Sequence, residues 1–202
     1  MKANLDFVGK WKLFSKFKSF IQGTSILPVK VPLSIEMNAH LPQENQFFWP
    51  EVLEFAANQG KPIACVMSFA NSLKFYEPKD LPQEILFQHH PISFQQRLTR
   101  KQLRQIFDKM AEYDSKGQGI VIHCTHGVNR TGYIVCKYLN ERKNFTIEEA
   151  ISLFEDCRGQ AIENGYYLNA LRNQSSERKS IFINPKNFLL QKEQSVETQA
   201  TK

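Results

Sequence analysis

No stretch of this chain approaches the roughly 20 consecutive apolar residues that a membrane-spanning helix needs, so no membrane partner is expected. The cysteines Cys65, Cys124, Cys136 and Cys157 lie far apart and form no Cys-x-x-Cys pair, which removes the usual sign of a disulfide framework or zinc ribbon. The opening Met1-Lys2-Ala3-Asn4-Leu5-Asp6 lacks the charged-then-apolar pattern of a secretory signal. Reduced thiols, in the nucleus or cytoplasm, are therefore expected. No internal repeat occurs, and no acidic residue falls between Lys10 and Lys30.

What is present is enough to fold. In 202 residues, 42% are hydrophobic and 12% aromatic, which suits one domain with a real core and excludes disorder over the whole length. The balance of 26 Lys+Arg against 20 Asp+Glu gives a net charge of +6. That excess admits an anionic partner without specifying one.

Along the chain, Lys12 to Gln22 sets Leu13, Phe14, Phe17, Phe20 and Ile21 on one face of a predicted basic helix, more suited to packing on the domain's own core than to a membrane surface. Gly23 ends it, and Pro28 and Pro32 hold an extended segment. From about 46 to 172 the pattern is α/β. A helix is predicted over Phe47 to Gln59, with Pro50 in its first turn, and strands over Pro62 to Phe69, Glu84 to Gln88 and Gly119 to His123. Thr99-x-x-Gln102 and Thr146-x-x-Glu149 are capping boxes opening two further helices. Helices over Arg130 to Asn140 and Asn164 to Arg172 complete a parallel or mixed sheet with helices on both faces. The domain is expected to span 1–173. Residues 174–202 are polar and expected to be a flexible tail, interrupted by Ile181-Phe182-Ile183 and Phe188-Leu189-Leu190.

The chemistry concentrates in His123-Cys124-Thr125-His126-Gly127-Val128-Asn129-Arg130-Thr131-Gly132, which leaves a strand and enters a helix. Such a loop turns successive N–H groups inward at the positive end of a helix dipole, and so cradles an anion. Gly127 frees the backbone to turn and Gly132 permits close helix packing. Arg130 offers a planar fork of donors for phosphate oxygens. A thiol at Cys124 facing those groups is acidified, and a thiolate beside a phosphate cradle can attack phosphorus. Thr131 is placed to hydrogen-bond the sulfur as it leaves, and His123 to orient the loop. Cys65, Cys136 and Cys157 read as buried small hydrophobes. His123, Cys124 and His126 could suggest zinc, but no fourth ligand is suitably spaced, so neither metal nor cofactor is expected.

The segment resembles the His-Cys-x5-Arg-Ser/Thr-Gly signature of the cysteine-dependent protein tyrosine phosphatase superfamily. Its inner residues are similar to those of the RNA 5′-triphosphatase branch, which includes metazoan mRNA capping-enzyme domains, baculovirus phosphatase and a stand-alone RNA phosphatase associated with ribonucleoprotein. The resemblance extends to Gly23-Thr24-Ser25-Ile26-Leu27-Pro28-Val29-Lys30-Val31-Pro32-Leu33, to Asn71-Ser72-Leu73-Lys74-Phe75-Tyr76, and to Arg158-Gly159, Ile162-Glu163 and Tyr167-Leu168. It implies a phosphatase-like α/β fold with a central mixed sheet. It also implies removal of the γ-phosphate from 5′-triphosphate RNA through a phosphocysteine at Cys124, with removal of the β-phosphate as a further expected step, and a monomer is expected. Arg130 and the amides of Thr125, His126, Gly127, Val128 and Asn129 would hold the phosphate. Lys30 is a candidate contact for downstream phosphates.

One departure matters. Where the family reads Asp-Leu-Thr-Asn-Thr, this chain has Ser68-Phe69-Ala70-Asn71-Ser72, so no general acid carries over and its identity is open, with Asp80 a weak substitute. A diphosphate leaves without protonation, whereas a serine alkoxide does not, so the loss favours a polyphosphate substrate. The alternatives are a dual-specificity protein phosphatase and a non-catalytic binder of 5′-phosphorylated RNA. No Lys-x-Asp-Gly motif occurs, so guanylyl transfer is not expected of these residues.

Overall fold

The architecture follows from four short strands whose residues alternate between two faces. The computed structural model describes residues 8–182, and the side chains of 8–173. Strands β1 (Ile26–Val29), β2 (Ile63–Ser68), β3 (Leu86–His89) and β4 (Gly119–His123) form one sheet in the order β1-β4-β2-β3. Expected to be parallel or mixed, the sheet is parallel at every described pairing, because a helix or long crossover separates each strand from the next. Ile26, Cys65, Met67, Ile120 and Ile122 face one core, and Leu27, Val29, Val66 and Val121 the other. That alternation is the period of two made visible.

The first face is covered by α4 (Arg100–Ser115), α5 (Asn129–Arg142), α6 (Ile147–Arg158) and α7 (Gly165–Phe182). The second takes α2 (Ile35–Asn38) and α3 (Trp49–Asn58) with Trp11 and Phe47. Both capping boxes form: Thr99 accepts from the Gln102 amide at 3.3 Å, and Thr146 from that of Glu149 at 3.3 Å. Pro50 sits in the first turn of α3. A carboxylate ties the layers together: Asp114 accepts from the Ser25 amide at 2.7 Å and from the Tyr138 hydroxyl at 3.1 Å.

The segment Lys12 to Gln22 is not the predicted helix. Only α1 (Val8–Trp11) is helical, and the chain then runs as an irregular arm. Tertiary partners satisfy its backbone instead of a helical ladder. The Ser19 amide donates to the Cys157 carbonyl at 3.1 Å, the Lys30 amide to the Lys16 carbonyl at 3.0 Å, and the Ser15 amide to Gln160 Oε1 at 3.2 Å. Phe14 and Ile21 are buried while Leu13 stands 77% exposed, which no single helical face would produce. Helix α7 continues to Phe182, past position 173 where the sequence placed the end of the domain. Met1 to Asp6, Ile183 and Phe188-Leu189-Leu190 lie outside the described residues.

Strand β4 is central, with Val29 and Ser68 in register with His123 on either side. Whatever follows His123 therefore emerges in the middle of the sheet's carboxyl edge, where open parallel sheets bind ligands.

Candidate active site

Cys124 follows β4 directly, and the loop ends where α5 begins at Asn129. Three consecutive carbonyls of this loop are held from behind. The Val31 amide donates to the Thr125 carbonyl at 3.2 Å. Arg158 donates from Nη2 to the His126 carbonyl at 3.1 Å and from Nε to the Gly127 carbonyl at 3.0 Å. In a planar trans peptide the N–H points opposite the carbonyl. Fixing the three carbonyls rearward therefore turns the amides of His126, Gly127 and Val128 forward, the cradle expected from the sequence. Gly127 has φ +67°, and a Cβ there would collide with the Val29 carbonyl, so the turn requires glycine. At Gly132 a Cβ would sit 2.7 Å from Ile162 and 2.8 Å from Phe154.

The Cys124 sulfur sits over this cradle, 2% exposed. Burial alone would raise its pKa, yet the thiol lies below the ordinary range. The Arg130 charge, the Thr131 hydroxyl and the amides of Thr131 and Gly127 together outweigh desolvation. The buried Thr131 hydroxyl has no nitrogen or oxygen partner, and the sulfur is what it faces. The contrast with the other thiols is instructive. Burial without such donors pushes Cys65 up to about 12 and Cys136 well above the ordinary range.

Arg130 donates from Nη1 to the Ile92 carbonyl at 3.0 Å and to the Phe69 carbonyl at 3.3 Å, and from Nη2 to Thr125 Oγ1 at 3.3 Å. Its Nε–H and one Nη2–H remain to donate to phosphate oxygens.

Arg158, to which the sequence assigns no role, is fully buried. Besides the loop carbonyls it grips the arm, with Nη1 on Ser15 Oγ at 2.6 Å and Nη2 on the Ser15 carbonyl at 2.7 Å. Burial pushes its pKa down to about 10, while the nearby Cys124 pulls it up. One signal was available: a charged residue four positions after Phe154, on the apolar stripe of α6. The arm closes the rear of the loop further, as Phe14 stacks on His126 with ring centroids 4.6 Å apart.

Lys30, proposed from sequence as a contact for downstream phosphates, faces inward instead. It is 4% exposed, donates to the Phe14 carbonyl at 2.9 Å and lies 3.5 Å from the centre of the Trp11 ring. Burial, then the charges of Arg158 and Lys16, lower its pKa to about 8. Those interactions fasten the arm. An exposed cation near the loop is Lys10, whose charge reaches His126 and which pairs with Glu163 at 3.4 Å.

His123 is wholly buried, with Nδ1 on the Cys124 carbonyl at 3.1 Å and Nε2 on the Tyr76 hydroxyl at 2.8 Å. A carbonyl only accepts, so Nδ1 carries the hydrogen and Nε2 accepts from Tyr76. Burial lowers its pKa to about 4, and the ring is neutral at neutral pH. Asn129 accepts from the Asn164 amide at 2.8 Å, which locks the loop's far end to the start of α7. Ser68 is buried in register with His123, and it brings no carboxylate to the site. Asp80 lies in an exposed turn, where it caps the Glu77 amide at 2.9 Å. Among the described residues no group of three or more His, Cys, Asp and Glu could hold a metal ion, and no helix is long and apolar enough to cross a membrane.

Two outcomes follow from this geometry. Iodoacetamide inactivation of the wild type should have a midpoint below that of a free thiol, about 8.5. Arg158→Lys, which keeps the charge but loses the fork, should move it upward, while a midpoint unchanged in that variant contradicts the role of Arg158. The His123 pKa is about 4 folded and 6.5 ordinarily, so the unfolded chain takes up the proton first as pH falls. The His123 contribution to stability is therefore complete above about pH 6.5 and lost down to about pH 4, by roughly 3 kcal/mol, read as the difference in urea unfolding between the wild type and His123→Asn across that range.

Comparison with known proteins agrees with the geometry. The family model "Dual specificity phosphatase, catalytic domain" matches residues 46–177. The Caenorhabditis elegans protein named RNA/RNP complex-1-interacting phosphatase homolog is 26% identical over 178 residues, covering 84% of this chain and 76% of its own. The Bos taurus RNA/RNP complex-1-interacting phosphatase is 28% identical over 169 residues, 81% of this chain and 51% of its own, so the chain spans about half its length. A Danio rerio mRNA-capping enzyme is 27% identical over 149 residues, 72% of this chain and 25% of its own. Among solved structures, Tk-PTP in its active form superposes with a TM-score of 0.59 at 19% identity, covering 79% of this chain and 96% of its own. The loop geometry and the family match converge, and the chain belongs to the dual specificity phosphatase family.

Proposed function

We propose that this phosphatase is an RNA 5′-triphosphatase that works without a metal ion. The observation that carries the reading is an intact thiolate cradle beside a buried serine, Ser68, where a general acid would stand. In the first step the Cys124 thiolate attacks the γ-phosphorus. The P–O bond to the β-phosphate breaks, and its electron pair leaves on the β-phosphate oxygen, already stable as an anion at neutral pH. Arg130 and the amides from Thr125 to Asn129 hold the non-bridging oxygens as charge gathers on them. In the second step water attacks phosphorus, the S–P bond breaks to return the thiolate, and a proton passes to solvent. The Thr131 hydroxyl stabilises the departing sulfur. His123 positions Cys124 through its carbonyl.

The names of the relatives support an RNA end as the substrate, with ribonucleoprotein as the setting. The match to the dual specificity catalytic domain supports a second reading, hydrolysis of protein phosphoesters by the same nucleophile. Phosphate release from triphosphate-ended RNA and from a phosphotyrosine peptide, both in EDTA, separates the two. We expect the RNA to turn over at least tenfold faster. Peptide turnover with the RNA untouched would establish the second reading instead.

A further inference from the structure

Resting on the RNA reading, we propose that Phe94 is a stacking platform for the first nucleobase of the substrate. Phe94 is the exposed large aromatic among the described residues, with 78% of its surface in solvent. It belongs to the segment between β3 and α4, two residues after Ile92, whose carbonyl holds Arg130 at 3.0 Å. Two residues of chain reach about 7 Å at most, so the ring is displayed close to the phosphate-gripping arginine.

The turn that displays it is built to be stiff. The Gln96 amide donates to the Ser93 carbonyl at 3.1 Å, Gln96 Oε1 accepts from the Ser93 amide at 3.0 Å, and Ser93 Oγ reaches Asn71 at 3.3 Å. Gln95, next to Phe94, takes φ +54°, a left-handed conformation unfavourable for a residue with a Cβ. Backbone strain is thus accepted in a turn that leaves a phenyl ring in water rather than in the core. Just beyond it, Arg97 donates to the Tyr166 hydroxyl at 3.1 Å with its guanidinium 5.3 Å from the ring centre. A fixed, exposed aromatic with a cation beside it, next to a phosphate grip, is the combination that binds single-stranded nucleic acid: bases stack and the backbone is neutralised. Because every base has a π-face, the platform selects for a nucleotide without selecting its identity.

The full chain and its Phe94→Ala and Phe94→Trp variants should be compared on a triphosphate-ended RNA, the same RNA lacking its first base, and inorganic tripolyphosphate. In wild type and Phe94→Trp, kcat/KM should favour the intact RNA over tripolyphosphate. In Phe94→Ala that preference should fall about tenfold through KM, to the level wild type shows on the abasic RNA. RNA hydrolysis in Phe94→Ala with the preference undiminished overturns the platform and leaves the RNA reading standing. So does an equal loss on intact and abasic RNA, which marks a structural role. Wild type that hydrolyses tripolyphosphate but not RNA overturns the RNA reading and the platform with it.

Discussion

The buried guanidinium of Arg158 joins two parts of the chain that are remote in sequence. It holds the Ser15 end of the N-terminal arm and the carbonyls of His126 and Gly127 together. Peptide planarity converts that rearward grip into a forward row of amides, and the row is what lets a thiol 2% exposed ionise against the cost of burial. Remove the grip and the loop loses its reason to face forward. A buried arginine costs desolvation, and here four backbone and hydroxyl acceptors offset it.

The arm matters for the same reason. It lies outside residues 46–177, which carry the family match, yet it supplies the rear wall of the loop. Phe14 stacks on His126, the Val31 amide holds the Thr125 carbonyl, and Val29 lies so close to Gly127 that no side chain fits there. Lys30 serves this wall by turning its ammonium onto Trp11 and the Phe14 carbonyl. The basic stretch from Lys10 to Lys30 is thus in part a fastening, and its charge does not all face a ligand.

The loop was readable because its order of strand, cysteine, glycine and arginine is local, and local patterns survive in sequence. The two capping boxes and the strand Gly119–His123 were readable for the same reason. The arm is not legible in the sequence because its apolar spacing imitates a helix, while the partners of its backbone, Cys157 and Gln160, lie far along the chain. The inward course of Lys30 is not legible because nothing in its neighbours reveals that Trp11 covers it. The role of Arg158 depends on contacts with Ser15 and Gly127 that only folding creates.

The proposed mechanism requires a covalent phosphocysteine at Cys124. Triphosphate-ended RNA labelled on the γ-phosphate should be mixed with the enzyme, quenched within one turnover, and digested to peptides. Label should appear on the peptide containing Cys124, and none when Cys124→Ser is used. Turnover by the wild type without label on that peptide, or label that persists in Cys124→Ser, would rule out the phosphocysteine.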